Sequence, residues 1–204
     1  MDVEHPEAAG SDRAGGLVAA GLSPHPPIVI PEVGGSDRAR ARQTVLGLTE
    51  LERRMVIADP ATVVVVAPHG PVLRRSFVIY GQERVGGDFG EFGAPGVRLE
   101  FGTDIHYVSA LHSVCTVAGV SLTDLADEGP LRDRGGPAEL HYAALVPLYY
   151  LRQAGYRGQV VVVNMAYTSL SECYRFGGLL ERAAREAGRR IAVLASGDLS
   201  HRLK

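Results

Sequence analysis

Four short stretches of the chain are apolar at nearly every position: residues 17–22, 61–67 (ATVVVVA), 159–163 (QVVVV) and 190–195 (RIAVLA). Short β-branched runs without alternation are the pattern of strands covered on both faces of a sheet. Between them the period changes. Val45, Leu48, Leu51, Met55 and Ala58 recur at helical spacing, with Ser36 placed to cap the helix N-terminus. Ile105, Val108, Leu111, Cys115 and Ala118 predict a helix over 104–118. Leu170, Cys173, Gly177, Leu180 and Ala184 predict another over 170–187. Residues 140–154 read as a helix kinked or begun near Pro147. Residues 76–101, rich in glycine and aromatics, show no helical period and read as irregular strands and hairpins. Strands alternating with helices predict an α/β fold, a mostly parallel sheet flanked by helices on both faces. The fold is expected to occupy residues 17–204, after a small, polar tail at 1–16.

Each of three such strands runs into a histidine. His25 follows the first, His69 the second and His201 the last. In an open parallel sheet the carboxyl ends of the strands share one rim, where ligands bind. Prolines brace two of these histidines: Pro24, Pro26 and Pro27 surround His25, and Pro68, Gly70 and Pro71 surround His69. A stiff loop suits a metal ligand, whose nitrogen must sit about 2 Å from the ion. A shared metal or catalytic site on this rim is therefore expected. Imidazoles with open positions for O2 and substrate suit non-haem Fe(II) when a carboxylate completes the set. Zinc with a hydrolytic water uses similar ligands, so spacing alone does not choose the metal. His5, His106 and His112 read as incidental or structural.

Composition removes other classes. With 46% hydrophobic and 22% charged residues and a formal net charge of -2, the 204-residue chain reads as one globular domain with no nucleic acid or membrane partner. The only lysine is Lys204, which excludes a Walker-type phosphate loop and, in practice, a Schiff-base lysine. Cys115 and Cys173 fall on apolar helix faces and are expected to be free thiols. The first residues carry Asp2, Glu4, Glu7 and Asp12 without an apolar stretch, and a cytoplasmic setting is expected.

The segments GLSPHPPIVIPEVGG, VVAPHGPV, GDFGEFGAPGV, LVPLYYL, YRFGGLL and IAVLASGDLSHRL occur in that order. Together they resemble the catalytic (B) subunit of class III extradiol ring-cleavage dioxygenases, nearest the branch associated with the AmmeMemoRadiSam system. The resemblance implies His25 and His69 as Fe(II) ligands and His201 as the acid/base residue, with Asp198 and Ser200 as orienting neighbours. It implies a catechol-type aromatic substrate and O2, and leaves homo-oligomerisation open. Where the family reads L-D-H-G-A-L-V-P-L, this chain reads Leu140-His141-Tyr142-Ala143-Ala144-Leu145-Val146-Pro147-Leu148. Tyr142 then occupies the family histidine's place, unless a local shift brings His141 inward. The family's glutamate ligand lies well downstream of the SGDLSH segment, and neither Glu32 nor Glu172 matches its motif. The chain is thus expected to be a fragment lacking that ligand and the final helices, with little turnover as it stands. The alternatives are a metal-binding, Memo-like partner protein without dioxygenase activity, and a zinc hydrolase.

Overall fold

The computed structural model describes residues 14–126 and 138–198. The chain enters along β1 (Gly16–Ser23), turns through Pro27–Val29 and the single-turn helix α1 (Pro31–Gly34), and climbs α2 (Arg42–Ile57) into β2 (Thr62–Ala67). Short strands follow: β3 (Phe77–Ile79), β4 (Arg84–Phe89) and β5 (Ala94–Gly102). Helix α3 (Ile105–Ala118) leads to β6 (Leu122–Asp124). Then come β7 (Ala138–Glu139), α4 (Tyr142–Gln153), β8 (Gln159–Asn164), α5 (Leu170–Glu186) and β9 (Arg190–Ser196).

Six strands form the main sheet in the order β1-β9-β2-β8-β3-β6. The pairs β1–β9, β9–β2, β2–β8 and β3–β6 are parallel, and β3 runs antiparallel to β8. The fold class is the one the alternating pattern predicts. Successive side chains of a strand point to opposite faces, and β2 shows the consequence. Val63 and Val65 join the core beneath α2 and α4, and Val64 joins the core beneath α3 and α5. All three are fully buried, each contributing about 1.5–3 kcal/mol. The irregular stretch supplies β4 and β5 of a second sheet, β5-β4-β7, whose Val85, Phe89 and Phe101 pack into the first core.

Several local expectations shift. The first strand is an edge strand, with Leu17 43% and Leu22 50% exposed, because the helices cover the middle of the sheet and stop short of its border. Ser36 does not cap α2: a 3-10 segment, Gly35–Ala41, precedes that helix, and no side chain caps it. In α3 Ile105 is exposed, and Tyr107 is buried with its hydroxyl donating to Leu180 O at 2.9 Å. In α5 the inward face is Phe176, Leu179, Leu180, Ala183 and Ala184, while Leu170 and Gly177 face out. On that face Phe176 stacks on Phe77 with ring centroids 3.9 Å apart. Both cysteines are free, Cys115 buried and Cys173 half-buried. No helix among the described residues is long and apolar enough to cross a membrane.

Candidate metal centre and substrate cavity

β1, β9, β2 and β8 end together at Ser23, Ser196, Ala67 and Asn164. Because β9 lies between β1 and β2, the His25 and His69 loops start two strand spacings apart, about 9.6 Å, and lean towards each other. Their rings meet with centroids 5.3 Å apart, nearly perpendicular. Gly70 makes the second loop possible. Its φ of +122° is one that L side chains rarely adopt, and a Cβ there would run into the amide of Asn164.

Helix α4 delivers the next two rings. His141 is its N-cap, with Nδ1 accepting from the Ala143 N–H at 3.3 Å, and Tyr142 is its first residue. The His141 ring lies 5.4 Å from His69, and Tyr142 lies 5.9 Å from His25 and 6.2 Å from His69. Both side chains of the altered motif therefore stand near the His69 ring, His141 at 5.4 Å and Tyr142 at 6.2 Å. His201 and Ser200 lie outside the described residues.

His25 is almost fully buried and closely held. Its Nδ1 lies 2.8 Å from Ser196 Oγ, and that hydroxyl donates to Ala143 O at 2.6 Å. A carbonyl cannot donate and serine has one proton, so the hydroxyl accepts from Nδ1–H. In the neutral ring the lone pair is therefore on Nε2, which lies 3.5 Å from Asp198 Oδ2. Two electron-rich atoms face each other favourably only with a cation or an added proton between them. The other Asp198 oxygen accepts from the His25 backbone N–H at 3.4 Å.

These residues fit a divalent ion in part. Metal–nitrogen bonds of about 2.1 Å place two ring centroids about 4.6–5.3 Å apart for ligand angles of about 90–110°, and the His25–His69 separation falls at the top of that range. Among the described residues no three His, Cys, Asp or Glu side chains group closely enough to hold an ion. Glu172 sits in the first turn of α5, and Glu32 is exposed on α1.

Beside the histidines lies a cavity of about 270 Å³, bordered by Gly70, Tyr80, Glu91, Phe92, His141 and Tyr142 among others. Phe92 stands edge-on to Tyr142 at 5.1 Å. Burial and the neighbouring His69 lower the pKa of His141, and the charge of Glu91 opposes them. No arginine or lysine borders the cavity among the described residues. Of its carboxylates, Asp88 is paired with Arg98 at 3.1 Å, whereas Glu91 and Glu139 have no ion-pair partner among the described residues.

A family model for the catalytic LigB subunit of aromatic ring-opening dioxygenase matches residues 19–204. The chain belongs to the LigB family. Dioxygenases of this family are generally metal-dependent, in keeping with paired imidazoles on the strand rim. Protein CA_C1420 of Clostridium acetobutylicum is 29% identical over 185 residues, covering 90% of this LigB chain and 39% of that protein. The chain thus spans well under half the length of that relative.

A buried acid lies behind the rim, outside the set of expected site residues. Glu52, on α2, is fully buried behind the rim, where Ser23 donates to its Oε1 at 3.4 Å and its Oε2 has no hydrogen-bond partner among the described residues. Burial pushes its pKa up to about 8, against the Ser23 hydrogen bond. It stands four residues after Leu48 and three before Met55, so helical spacing places it on the inward stripe of α2, the face that packs against β1.

Proposed function

We propose that the protein is a non-haem, Fe(II)-dependent extradiol dioxygenase that opens a single-ring catechol with O2. The observation that carries this reading is the 5.3 Å approach of the His25 and His69 rings on the strand rim, beside a cavity of about 270 Å³. His25, through Nε2, and His69 would hold the iron, which when bound would supply the site where catecholate and O2 meet. The chain's own groups do the rest. His201 is assigned the proton transfers. His141 is poorly suited to them: its Nδ1 is engaged by the Ala143 N–H, and its lowered pKa keeps it neutral, so it offers an Nε2–H donor to a substrate oxygen. Tyr142 offers a second donor, and Phe92 packs against it as a wall for the ring. Glu91 and Glu139, which have no ion-pair partner among the described residues, favour substrates whose substituents are neutral or cationic over carboxylated ones.

Full-length protein, loaded anaerobically with Fe(II) and offered a panel of catechols, should consume O2 and form a ring-opened product. No O2 uptake with any of the panel would overturn the reading. Tyr142 motivates a second reading, a metal-binding, Memo-like member of the AmmeMemoRadiSam branch without ring cleavage. A phenol is a poorer proton shuttle than an imidazole at neutral pH.

A further inference from the structure

Pro147 lies inside α4 and is buried there. A proline has no N–H, and its ring pushes aside the carbonyl four residues earlier. Here that carbonyl belongs to Ala143, which is fully buried. A buried carbonyl stripped of its helical donor needs another, and the one present is the hydroxyl of Ser196, at 2.6 Å from across the helix–sheet interface. That bond uses the only proton of Ser196 and leaves the hydroxyl oxygen to accept from His25 Nδ1 at 2.8 Å. Gly197 N–H donates to Ser23 O at 3.0 Å, so β9 and the start of the His25 loop are tied at the same level.

We propose that Pro147 is a positioning residue for the metal centre. By emptying the helical donor position at Ala143 O it orients the Ser196 hydroxyl, which holds His25 as the Nδ1–H tautomer with Nε2 directed to the ion. The inference rests on the assignment of His25 as a ligand. It assigns a role to a helix-interior proline that would otherwise be only a defect, since proline removes a helical hydrogen bond and clashes with the preceding turn.

Pro147→Ala restores an N–H at that position. The Ala143 carbonyl swings back towards the helix axis, and Ser196 is released to donate to Nδ1, which moves the imidazole proton to Nε2 and blocks the ligating nitrogen. Two measurements on the full chain test this. Nitrogen-15 NMR of the metal-free protein reads the His25 tautomer directly: Nδ1–H in the natural sequence, and Nε2–H or a mixture in Pro147→Ala and in Ser196→Ala. Titration with Co(II), followed by its visible absorption, should show affinity lower by about 10–100-fold in both variants, the range seen when an imidazole loses its orienting partner. Ser196→Thr, which keeps the hydroxyl, should restore both signals. A merely structural proline would leave the tautomer and the affinity unchanged. Pro147→Ala with an unaltered Nδ1–H signal and Co(II) affinity within two-fold of the natural protein would overturn the proposal. Because neither readout needs O2 or a catechol, a protein that shows both effects yet consumes no O2 would refute the dioxygenase reading and leave the positioning role standing.

Discussion

Glu52→Gln should stabilise the protein, by an amount that grows with pH. The folded chain holds this carboxyl protonated up to about pH 8, whereas the unfolded chain ionises it at its ordinary value of 4.5. Below pH 4.5 both states carry the proton and the residue adds no penalty. As pH rises through the window, the folded state binds the extra proton and stability is lost at about 1.4 kcal/mol per pH unit. The loss reaches about 3 kcal/mol at pH 7 and levels off near about 5 kcal/mol above pH 8. Glutamine has nearly the same shape, keeps an acceptor for Ser23 and never ionises. Urea unfolding of both proteins from pH 5 to pH 9 should give curves about 1 kcal/mol apart at the acid end. They should diverge to about 3 kcal/mol by neutrality. Glu50→Gln, at an exposed position paired with Arg53 and Arg54, should not reproduce that slope over this range. A difference between Glu52→Gln and the natural chain that stays flat with pH would refute the assignment of a protonated buried acid.

The other predictions concern the site. Gly70→Ala should cost about 1–3 kcal/mol in unfolding free energy from the forbidden backbone conformation alone. It should also weaken Co(II) binding, because relief of the clash with Asn164 moves the His69 loop. Tyr142→His should raise ring-cleavage activity in the full-length protein if proton transfer at this position limits it. An unchanged rate of O2 uptake would show that it does not. Competition binding under anaerobic conditions should rank dopamine above 4-methylcatechol and that above 3,4-dihydroxybenzoate. The extremes should differ by about ten-fold at low salt, and the spread should shrink at high salt as Glu91 and Glu139 are screened. A preference for the carboxylate would refute the charge argument.

The sheet was legible because β2, β8 and β9 are buried on both faces and so are written in nearly uninterrupted valine, isoleucine, leucine and alanine. The meeting of His25 and His69 followed from strand direction alone. Other features depend on partners the local sequence does not name. An apolar edge strand such as β1 looks in sequence like a buried one. The face of α5 was legible, because Phe176, Leu179, Leu180, Ala183 and Ala184 recur at helical spacing, but a stripe started from Leu170 is rotated away from it. Ser196 could be read only as the end of a strand. Its hydrogen bonds to His25 and Ala143 join three elements distant in sequence, and no spacing rule connects them. Glu52 differs: its spacing from Leu48 and Met55 puts it inward, and only its partner Ser23 comes from β1.

The strand order also says when this site can come into being. β9 is wedged between the two strands that carry His25 and His69, and its first residue, Arg190, is in register with Gly16. During synthesis the nascent chain therefore cannot bring the two imidazoles into place until nearly everything up to Asp198 has left the ribosome. Closing so long a loop is also slow. A metal ion supplied to the half-made chain would find only separate histidines, so loading must follow the insertion of β9 into the sheet.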